Sequence, residues 1–568
     1  MTEHTPVLIV GAGPVGLALA GDLGWRGIDC TLIEKTDGAI EHPRMDIVGP
    51  RTMEFCRRWG IADWVRDAPY PGDHPQDCIY VTALNGYELG RERFPGRAHE
   101  KCPPQSPQKR ERVPQDMFDP ILQRFVRSLP QVRFLTSTEL LSFEETADGV
   151  RATVRDHLKG TIRTITADYL VGTDGGSSLV RERLGITMSG NPALTHTTNV
   201  MLRIPDFASL HRFEPGYRFI FVGPEGTWLT IVAINGRDRY RMSIVGSADK
   251  VSHSEGDIRA ALARAAGRDF DYEILSVMRW VRRELVADRF GTERVFLAGD
   301  SAHMMSPTGG FGMNTGIQDA VDLGWKLEAN IRGWGGAELL RSYEIERRPV
   351  GVRNVNEASS NLGRMLSTRQ RLPPPEIFRP GPQGDAARKD YGAWFTATMK
   401  HEWFTLGFHF GYRYEGSPVI WPDGTPEPPL ETSTYTQTAR PGHRAPHVYL
   451  PDGRSTLDLF GRGFVLLRIG ADAPDGAHLR AAATAAGMPL EAVDLDLPEV
   501  AAVYQSHLVL VRPDGHVAWR ADAEPDDARA VIDVVRGARS YASVVRPRDN
   551  DNEARPAAHA AQSTGGQP

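Results

Sequence analysis

Cysteine is scarce in this sequence of 568 residues. It contains four, all in the first fifth of the chain, at Cys30, Cys56, Cys78 and Cys102. No two of them have the CxxC spacing, so the sequence favours neither a disulfide framework nor a zinc ribbon. HExxH and paired Cys/His patterns are also lacking, and isolated histidines such as His401 and His409 are more typical of packing or surface positions than of ligands. We therefore expect no bound metal and a reducing compartment, the cytoplasm.

The sequence also lacks an excess of positive charge and a long apolar run. Its 66 basic and 72 acidic residues give a net charge of -6, and no Lys/Arg block stands out, so nucleic acid and anionic membranes are not expected partners. No run approaches the roughly 20 apolar residues that span a bilayer. The first apolar stretch follows Glu3 instead of a basic segment, unlike a signal peptide. With 40% hydrophobic residues, the chain predicts a soluble protein of roughly three or four domain-sized units.

A βαβ unit is predicted at the start of the chain. The apolar run Val7–Val10 is typical of a buried parallel strand, and Gly11-Ala12-Gly13-Pro14-Val15-Gly16 follows it as a GxGxxG motif that opens a helix. A second strand, Thr31–Ile33, ends at Glu34. The glycines permit a tight turn, close approach of a pyrophosphate and helix packing, and Glu34 would accept hydrogen bonds from an adenosine ribose. The motif indicates a dinucleotide, either NAD or FAD, and a plain glycine-rich turn is the alternative.

Later segments predict two further layers. Alternation in 218–222 and 228–233 indicates antiparallel strands, which would form a wall or a lid. A buried strand at 294–298 and a helix from Ile317 to Ile331 then return the chain to the first sheet. Proline-rich stretches at 372–384 and 422–429 predict loops. Strands at 463–468 and 507–512 and a helix from Glu524 to Arg536 follow, before a polar tail too poor in apolar residues to pack.

Two more motifs decide the nature of the ligand. Asp174-Gly175 ends a buried strand, and Gly299-Asp300 ends another, followed by Pro307 and the loop 309–314. A serine hydrolase is the alternative for Gly299-Asp300-Ser301, but no GxSxG is completed. With GxGxxG, DG and GD in this order, the sequence resembles the class A FAD-dependent aromatic hydroxylases, in the branch of phenol hydroxylase, 2,4-dichlorophenol hydroxylase and 2-hydroxybiphenyl 3-monooxygenase. The resemblance covers residues 4 to about 360 well and the rest more loosely.

The resemblance implies an FAD site. In that family the GD aspartate, here Asp300, binds the ribityl chain, and the DG aspartate, here Asp174, lies near the nicotinamide and pyrophosphate region. The loop after Pro307 would present backbone N–H groups and a helix N-terminus to the flavin, where they stabilise negative charge. The full implied cofactor set is Gly11, Gly13, Pro14, Gly16, Glu34, Lys35, Arg44, Gln115, Asp174, Asp300, Pro307, Gly312, Met313 and Asn314.

The resemblance also implies a catalytic set of Asp46, Arg241 and Pro307. Asp46 aligns with the acidic residue that deprotonates the substrate phenol in the phenol hydroxylase branch, and a phenolate is richer in electrons at its ortho and para carbons than a phenol. A solvated loop aspartate is the alternative. Arg241 falls where relatives place a substrate-pocket arginine, although a plain sheet arginine fits equally well. A phenol hydroxylase tyrosine nearby is replaced by Ser243.

The resemblance implies an α/β fold with a Rossmann-like FAD-binding domain of the p-hydroxybenzoate hydroxylase (GR2) type, an antiparallel β substrate domain and a C-terminal thioredoxin-like domain. Without cysteine after Cys102, that last domain cannot exchange disulfides. The predicted boundaries are 1–75, 103–190 and 288–365 for FAD binding, 76–102 and 191–287 for substrate binding, 366–435 for a linker and helical region, 436–546 for the thioredoxin-like domain and 547–568 for a disordered tail.

The implied activity is that of a single-component monooxygenase. It would hydroxylate a phenol with NADH or NADPH and O2 through a flavin C4a-hydroperoxide, ortho to the hydroxyl, and the chain would form a homodimer or a higher homo-oligomer. No second GxGxxG is present for the nicotinamide, which suits a co-substrate that docks only transiently. Two alternatives stay open. The substrate could be a polycyclic or polyketide phenol, or the chain could bind flavin without hydroxylating anything.

Overall fold

The structure is a computed structural model that describes residues 3–40, 43, 45–247 and 249–545. The predicted cofactor residue Arg44 and the predicted disordered tail at 547–568 lie outside the described residues. None of the described helices combines the length and the apolar character that crossing a membrane requires.

The described strands are, in chain order, β1 (Glu3–Val10), β2 (Cys30–Ile33), β3 (Ile47–Val48), β4 (Cys78–Val81), β5 (Glu88–Glu92), β6 (Glu111–Arg112), β7 (Val132–Leu135), β8 (Thr138–Thr146), β9 (Gly149–Asp156), β10 (Thr161–Gly172), β11 (Met188–Arg203), β12 (Arg218–Gly223), β13 (Gly226–Ala233), β14 (Arg239–Ser247), β15 (Glu273–Ala287), β16 (Val295–Leu297), β17 (His303–Met304), β18 (Phe464–Ile469), β19 (Leu490–Leu495), β20 (Leu508–Val511) and β21 (Val517–Ala521).

The described α-helices are α1 (Pro14–Trp25), α2 (Pro50–Arg58), α3 (Ala62–Arg66), α4 (Gln115–Arg127), α5 (Leu179–Arg183), α6 (Glu255–Ala266), α7 (Gly312–Ile331), α8 (Ala337–Ser367), α9 (Pro382–Met399), α10 (Leu406–Phe410), α11 (Ala477–Ala485), α12 (Pro498–Tyr504), α13 (Ala528–Val535) and α14 (Tyr541–Val545).

The first sheet has the strand order β7-β2-β1-β10-β9-β8, with β16 paired to β10. The pairs among β7, β2, β1, β10 and β16 are parallel, and β8 and β9 add an antiparallel edge. Val7 to Val10 are all buried, as a strand covered on both faces requires. The predicted βαβ unit is therefore present, and α1 packs on α7 beside the sheet.

The second sheet has the order β17-β15-β11-β14-β13-β12-β4-β5. The predicted antiparallel pairing of the strands at 218–222 and 228–233 is confirmed, and one pair in the sheet, β12 with β4, runs parallel. Strand β4 belongs to an early segment that enters this sheet long before β12 does. The chain passes through the first sheet between the two strands, so no hairpin forces them to run in opposite directions.

The C-terminal sheet has the order β19-β18-β20-β21. With α11, α12 and α13 it follows the chain order βαβαββα of a thioredoxin-like fold, with β18 parallel to β19 and antiparallel to β20. Several predicted helix boundaries shift, and α7 begins at Gly312 instead of Ile317. Helix α13 begins at Ala528, where the Asp527 side chain accepts from the Ala530 N–H at 2.9 Å. Helix α9 begins within the predicted proline-rich loop, since Pro382 suits a first helical turn.

A buried ionic cluster joins this C-terminal sheet to α7 and α8. We call it the Arg512 cluster, and its members are Asp322, Lys326, Glu346, Arg512 and Asp514, all at most 2% exposed. The Arg512 guanidinium donates to both Glu346 oxygens at 2.6 and 2.9 Å, to Asp322 at 3.0 Å and to Asp514 at 2.8 Å. Lys326 donates to Asp322 at 2.8 Å and to Glu346 at 2.6 Å.

Candidate active site

The GxGxxG turn leaves no space for side chains at its first and third glycines. Gly11 has φ +100°, and a Cβ there would lie 2.7 Å from the Thr173 carbonyl oxygen. A Cβ on Gly16 would lie 2.0 Å from the Gly11 oxygen, whereas one on Gly13 would meet nothing within 4 Å. Helix α1 begins at Pro14 without a side-chain cap, so its first N–H groups are available to an anion.

Replacing Gly11 by Ala should yield protein with little bound flavin. The alanine would be strained at φ +100° and would contact the backbone of the DG segment, at a cost of about 1–3 kcal/mol, which corresponds to about 5- to 150-fold weaker FAD binding. The measurement is the visible absorbance of bound flavin per chain. Gly363→Ala is the control, because a Cβ at this position in α8 meets nothing within 4 Å. Equal flavin content in the two variants would contradict the assignment.

Glu34 lies at the end of β2, and its carboxylate accepts hydrogen bonds from the GxGxxG turn and from Thr36. Its Oε2 accepts from the Ala12 N–H at 2.9 Å, and its Oε1 accepts from the Thr36 N–H and hydroxyl at 2.9 and 2.8 Å. These bonds hold the carboxylate beside the GxGxxG motif, where the sequence predicts a contact with the ribose. Lys35, the next residue, is exposed.

The DG segment, Asp174-Gly175, packs against the same turn. A Cβ on Gly11 would lie 2.9 Å from the Cα of Asp174, so the two loops are in contact. The Asp174 carboxylate accepts from the Ser178 hydroxyl and, at 3.1 Å, from the Val180 N–H. It therefore holds the start of α5. The structure places Asp174 as a support of the loop, a role that the motif alone did not indicate.

The GD segment lies at the N-terminus of α7. Asp300 is exposed, and a Cβ on Gly312 would lie 4.0 Å from its Oδ1. Behind it, Asp319 accepts from the Gly299 N–H at 3.1 Å, from His303 Nε2 at 2.6 Å and from Arg347 Nε at 2.8 Å. Asp319 is fully buried, and the neighbouring His303 and Arg347 lower its pKa despite that burial. Sequence reasoning missed the role of Asp319. Its signal in the sequence is an acidic residue among the apolar residues of α7.

Asn314 connects the loop to the segment that carries Asp46. Its Oδ1 accepts from the Gly49 N–H and the Thr52 hydroxyl, both at 2.7 Å. Its Nδ2 donates to the carbonyls of Ile47 at 3.2 Å and Gly310 at 2.8 Å. Both donors and both lone pairs of the amide are used. The Asn314 side chain thus has no group left for a flavin contact and serves to position the loop, and a flavin contact through the Asn314 backbone stays a prediction.

Two other predicted cofactor residues lie beside this connection. Met313 is half-buried and packs against the core of the first sheet. Gln115 is the first residue of α4, its N–H donates to the Met45 carbonyl at 3.0 Å, and its Nε2 donates to Asp119 at 3.1 Å. Burial raises the pKa of Asp119 to about 7. Gln115 is therefore held next to the segment around Asp46.

A cavity of about 1300 Å³, its open mouth included, lies between the second sheet and the loop after Pro307. The structure brings all three predicted catalytic residues, Asp46, Arg241 and Pro307, to its wall. The sheet contributes alternate residues of β11 and β15, which point to one face. They are Thr197, Asn199, Met201, Ser276, Met278, Trp280 and Arg282.

Asp46 is an ionised group in this wall. The Tyr217 hydroxyl donates to its Oδ2 at 2.6 Å, and Arg112 Nη1 lies 3.3 Å from the same oxygen. Burial would raise the pKa of Asp46, but the Arg112 and Arg241 charges and the Tyr217 hydrogen bond together lower it. Sequence reasoning missed Tyr217. Ser243, which replaces the tyrosine of phenol hydroxylase, lines the cavity, and the phenol group that contacts Asp46 comes from the residue before β12.

Comparisons with known proteins identify families for both ends of the chain. Residues 4–358 match the FAD binding domain family, and residues 438–538 match the family of the aromatic-ring hydroxylase C-terminal domain. A Streptomyces halstedii protein with the provisional name of polyketide hydroxylase is 34% identical, over 94% of this chain and 96% of its own. The 2,4-dichlorophenol 6-monooxygenase of Delftia acidovorans is 30% identical, over 93% and 97%.

Among solved structures, RebC with bound 7-carboxy-K252c has a TM-score of 0.87 and 41% identity, over 95% of this chain and all of the RebC chain. The shared folds, the three nucleotide-binding motifs and the match over most of the length lead to one assignment. The chain belongs to the class A FAD-dependent aromatic hydroxylases, which are flavoprotein monooxygenases.

Proposed function

We propose that this enzyme hydroxylates a phenolic ring of a multi-ring aromatic substrate, ortho to the hydroxyl, with NADH or NADPH and O2. The observation that carries the proposal is the carboxylate of Asp46, which lines the same cavity as Pro307 and is held there by Tyr217 and Arg112. The ortho position draws support from the dichlorophenol relative, which is named a 6-monooxygenase, since carbon 6 of that phenol adjoins its hydroxyl. Homo-oligomer assembly and a cytoplasmic location stay predictions.

The residues present fit FAD. The open space at Gly13, beside an uncapped helix N-terminus, suits a pyrophosphate. Glu34 would hold the adenosine ribose, Asp300 the ribityl chain, and the backbone of 309–312 the ring. When bound, FAD would accept a hydride from the nicotinamide and activate O2 for the transfer of one oxygen atom. Asn314 keeps the loop beside Ile47 and so positions these groups.

The protein's own part in the reaction is to prepare the phenol. Asp46 would accept the phenolic proton at its carboxylate, which makes the ring carbons more nucleophilic. Tyr217 and Arg112 fix the orientation of that carboxylate, because both contact the same oxygen, Oδ2. The second sheet covers the ring and keeps water away from the reacting atoms.

The lining of the cavity favours a substrate with several rings. Met201, Met278 and Trp280 offer flat apolar area for such a ring system. The polyketide hydroxylase name of one relative supports the same choice.

The test is oxidation of NADH and NADPH by the purified yellow protein with single-ring and fused-ring phenols, with product mass measured in parallel. We expect a fused-ring phenol to stimulate oxidation and to gain one oxygen atom beside its hydroxyl. Oxidation that forms only hydrogen peroxide with every phenol would contradict the hydroxylation, and preference for single-ring phenols would contradict the substrate size.

A further inference from the structure

A second cavity, which we call the interdomain cavity, lies between the nucleotide-binding half and the C-terminal domain. Its walls come from Trp25, Pro107, helix α2, the C-terminal segment 457–460 and Gly515. Of the described residues, none lines both this cavity and the catalytic one. Trp25 is the last residue of α1, about 16 Å from the end that carries the GxGxxG turn, so the predicted FAD site lies elsewhere.

Three arginines of α2 line the interdomain cavity, and two of them have carboxylate partners. Arg57 Nε and Nη2 donate to the two oxygens of Asp458, both at 2.7 Å. Arg51 donates to Glu54 at 2.7 Å and to the Asp514 carbonyl at 3.0 Å. The two carboxylates in the wall, Glu54 and Asp458, are therefore already engaged.

The third arginine, Arg58, has an N–H group without an acceptor. Its Nη1 is buried and has no hydrogen-bond partner among the described residues. Burial, with the charges of Arg51 and Arg26, lowers the pKa of Arg58 to about 10, although the charges of Asp22 and Asp514 oppose this. Arg58 is still a cation at neutral pH.

The carboxylates that act on Arg58 from a distance are bonded to other cations. Asp22 accepts from Arg26 Nε at 2.7 Å, and Asp514 accepts from Arg512 Nη2 at 2.8 Å. A buried guanidinium N–H without an acceptor is unfavourable, and the cost falls when a ligand supplies one. An anion in the interdomain cavity would be such an acceptor.

The interdomain cavity has a charged side and an apolar side. A Cβ on Gly515 would lie 3.3 Å from Arg58 Nη2 and 3.6 Å from Arg51 Nη2, so two guanidinium groups meet at this glycine. Trp25 and Phe460 line the same cavity with aromatic rings. Guanidinium groups bind carboxylates and phosphates through paired N–H groups, and aromatic rings pack on flat apolar groups.

We propose that the interdomain cavity binds an aromatic oxyanion, a carboxylate or a phosphate ester, whose charged group pairs with Arg58 and whose ring packs beside Trp25 and Phe460. The bound anion contacts α2 and the C-terminal domain at once. This site is separate from the cavity that holds Asp46, so the inference does not depend on the proposed hydroxylase function.

The experiment counts bound ligand per chain by equilibrium dialysis of the FAD-loaded enzyme, while flavin fluorescence reports ligand in the catalytic cavity. The probes are benzoate and phenyl phosphate, with benzamide as the uncharged counterpart of benzoate and inorganic phosphate as the anion without a ring. We expect at least one aromatic anion to bind at a site that leaves flavin fluorescence unchanged, and benzamide and inorganic phosphate to bind there more weakly. Arg58→Gln should weaken this binding about 10- to 100-fold, and Arg58→Lys should retain part of it.

Arg454→Gln is the matched control. Arg454 is exposed, lies close enough to Asp458 to lower the pKa of that residue, and donates to Asp452 at 2.7 Å. Its replacement removes the same charge near the cavity and should leave binding unchanged. Equal binding by the parent and Arg58→Gln would overturn the proposal. So would bound ligand that the flavin response accounts for in full, or an Arg58→Gln protein that loses the flavin response as well, since its effect would then be indirect.

Discussion

Replacing Asp46 by Asn lowers the rate of ring hydroxylation by about 10²- to 10⁴-fold at neutral pH, the range expected for loss of a general base. The asparagine keeps the shape of the side chain but cannot accept the phenolic proton. The measurement is the rate of oxygenated product formation at saturating substrate. FAD content should stay unchanged, because Asp46 lies on the substrate side of the loop. A variant with the parent rate would remove Asp46 from the reaction.

The pH profile gives a second readout of the same group. The lowered pKa of Asp46 keeps it ionised above its ordinary value of 3.8, so its titration should not reduce the parent rate between about pH 5 and 8. The Asp46→Asn variant should recover activity as pH rises towards the phenol's own pKa, about 10 for a simple phenol. Tyr217→Phe removes a hydrogen bond that lowers the pKa, so it should move the acid limb of the profile to higher pH. A profile of Asp46→Asn parallel to that of the parent would contradict the base role.

Replacing Glu346 by Gln destabilises the protein by about 3–5 kcal/mol, the cost of breaking a buried ion pair by removing one partner. Glu346 binds both Arg512 and Lys326, and these two cations would stay buried with less countercharge. The measurement is the midpoint of urea unfolding followed by tryptophan fluorescence. Trp325 is a suitable reporter, because it is fully buried and Arg512 lies 5.0 Å from its ring centre.

Asp322→Asn is the comparison variant in the same cluster. Asp322 also accepts from Arg512 and Lys326, but its pKa is shifted in the opposite direction to that of Glu346. Burial, with the charges of Glu346 and Asp514, raises the pKa of Asp322, whereas Arg512 and Lys326 lower that of Glu346. A raised folded-state pKa means that Asp322 contributes less stability as pH rises, so the variant should gain relative to the parent as pH rises above the ordinary carboxyl range. Glu346 contributes stability above its ordinary pKa and loses it in acid. Equal midpoints for parent and Glu346→Gln would contradict the account.

Most of the nucleotide-binding half could be predicted because its signals are local. A buried strand, three glycines and an acidic strand end lie within about thirty residues, and each has one physical reason. The parallel pairing of β4 with β12 could not be predicted, because strand neighbours distant in sequence leave no local trace.

The substrate side was predicted less completely for the same reason. Asp46 was found through its motif, whereas Tyr217 reaches it across 171 positions. Arg282 lies in a strand rich in arginine and looked like its exposed neighbours until the pairing of β15 with β11 showed which face it occupies. Asn314 was assigned to the cofactor because its motif is typical of a flavin loop, but its amide is saturated by the backbone and by Thr52.

The four hydrogen bonds of Asn314 have a consequence for how substrate range can evolve. One amide joins Ile47, next to the proposed base Asp46, to Gly310 in the loop, so the spacing between them does not depend on the sheet. Exchanges along β11 and β15 can therefore admit new ring systems while the chemistry keeps its geometry. Selection for a different or larger aromatic substrate would act on that wall first, and lineages that share this amide would diverge in what they oxidise sooner than in how they do it.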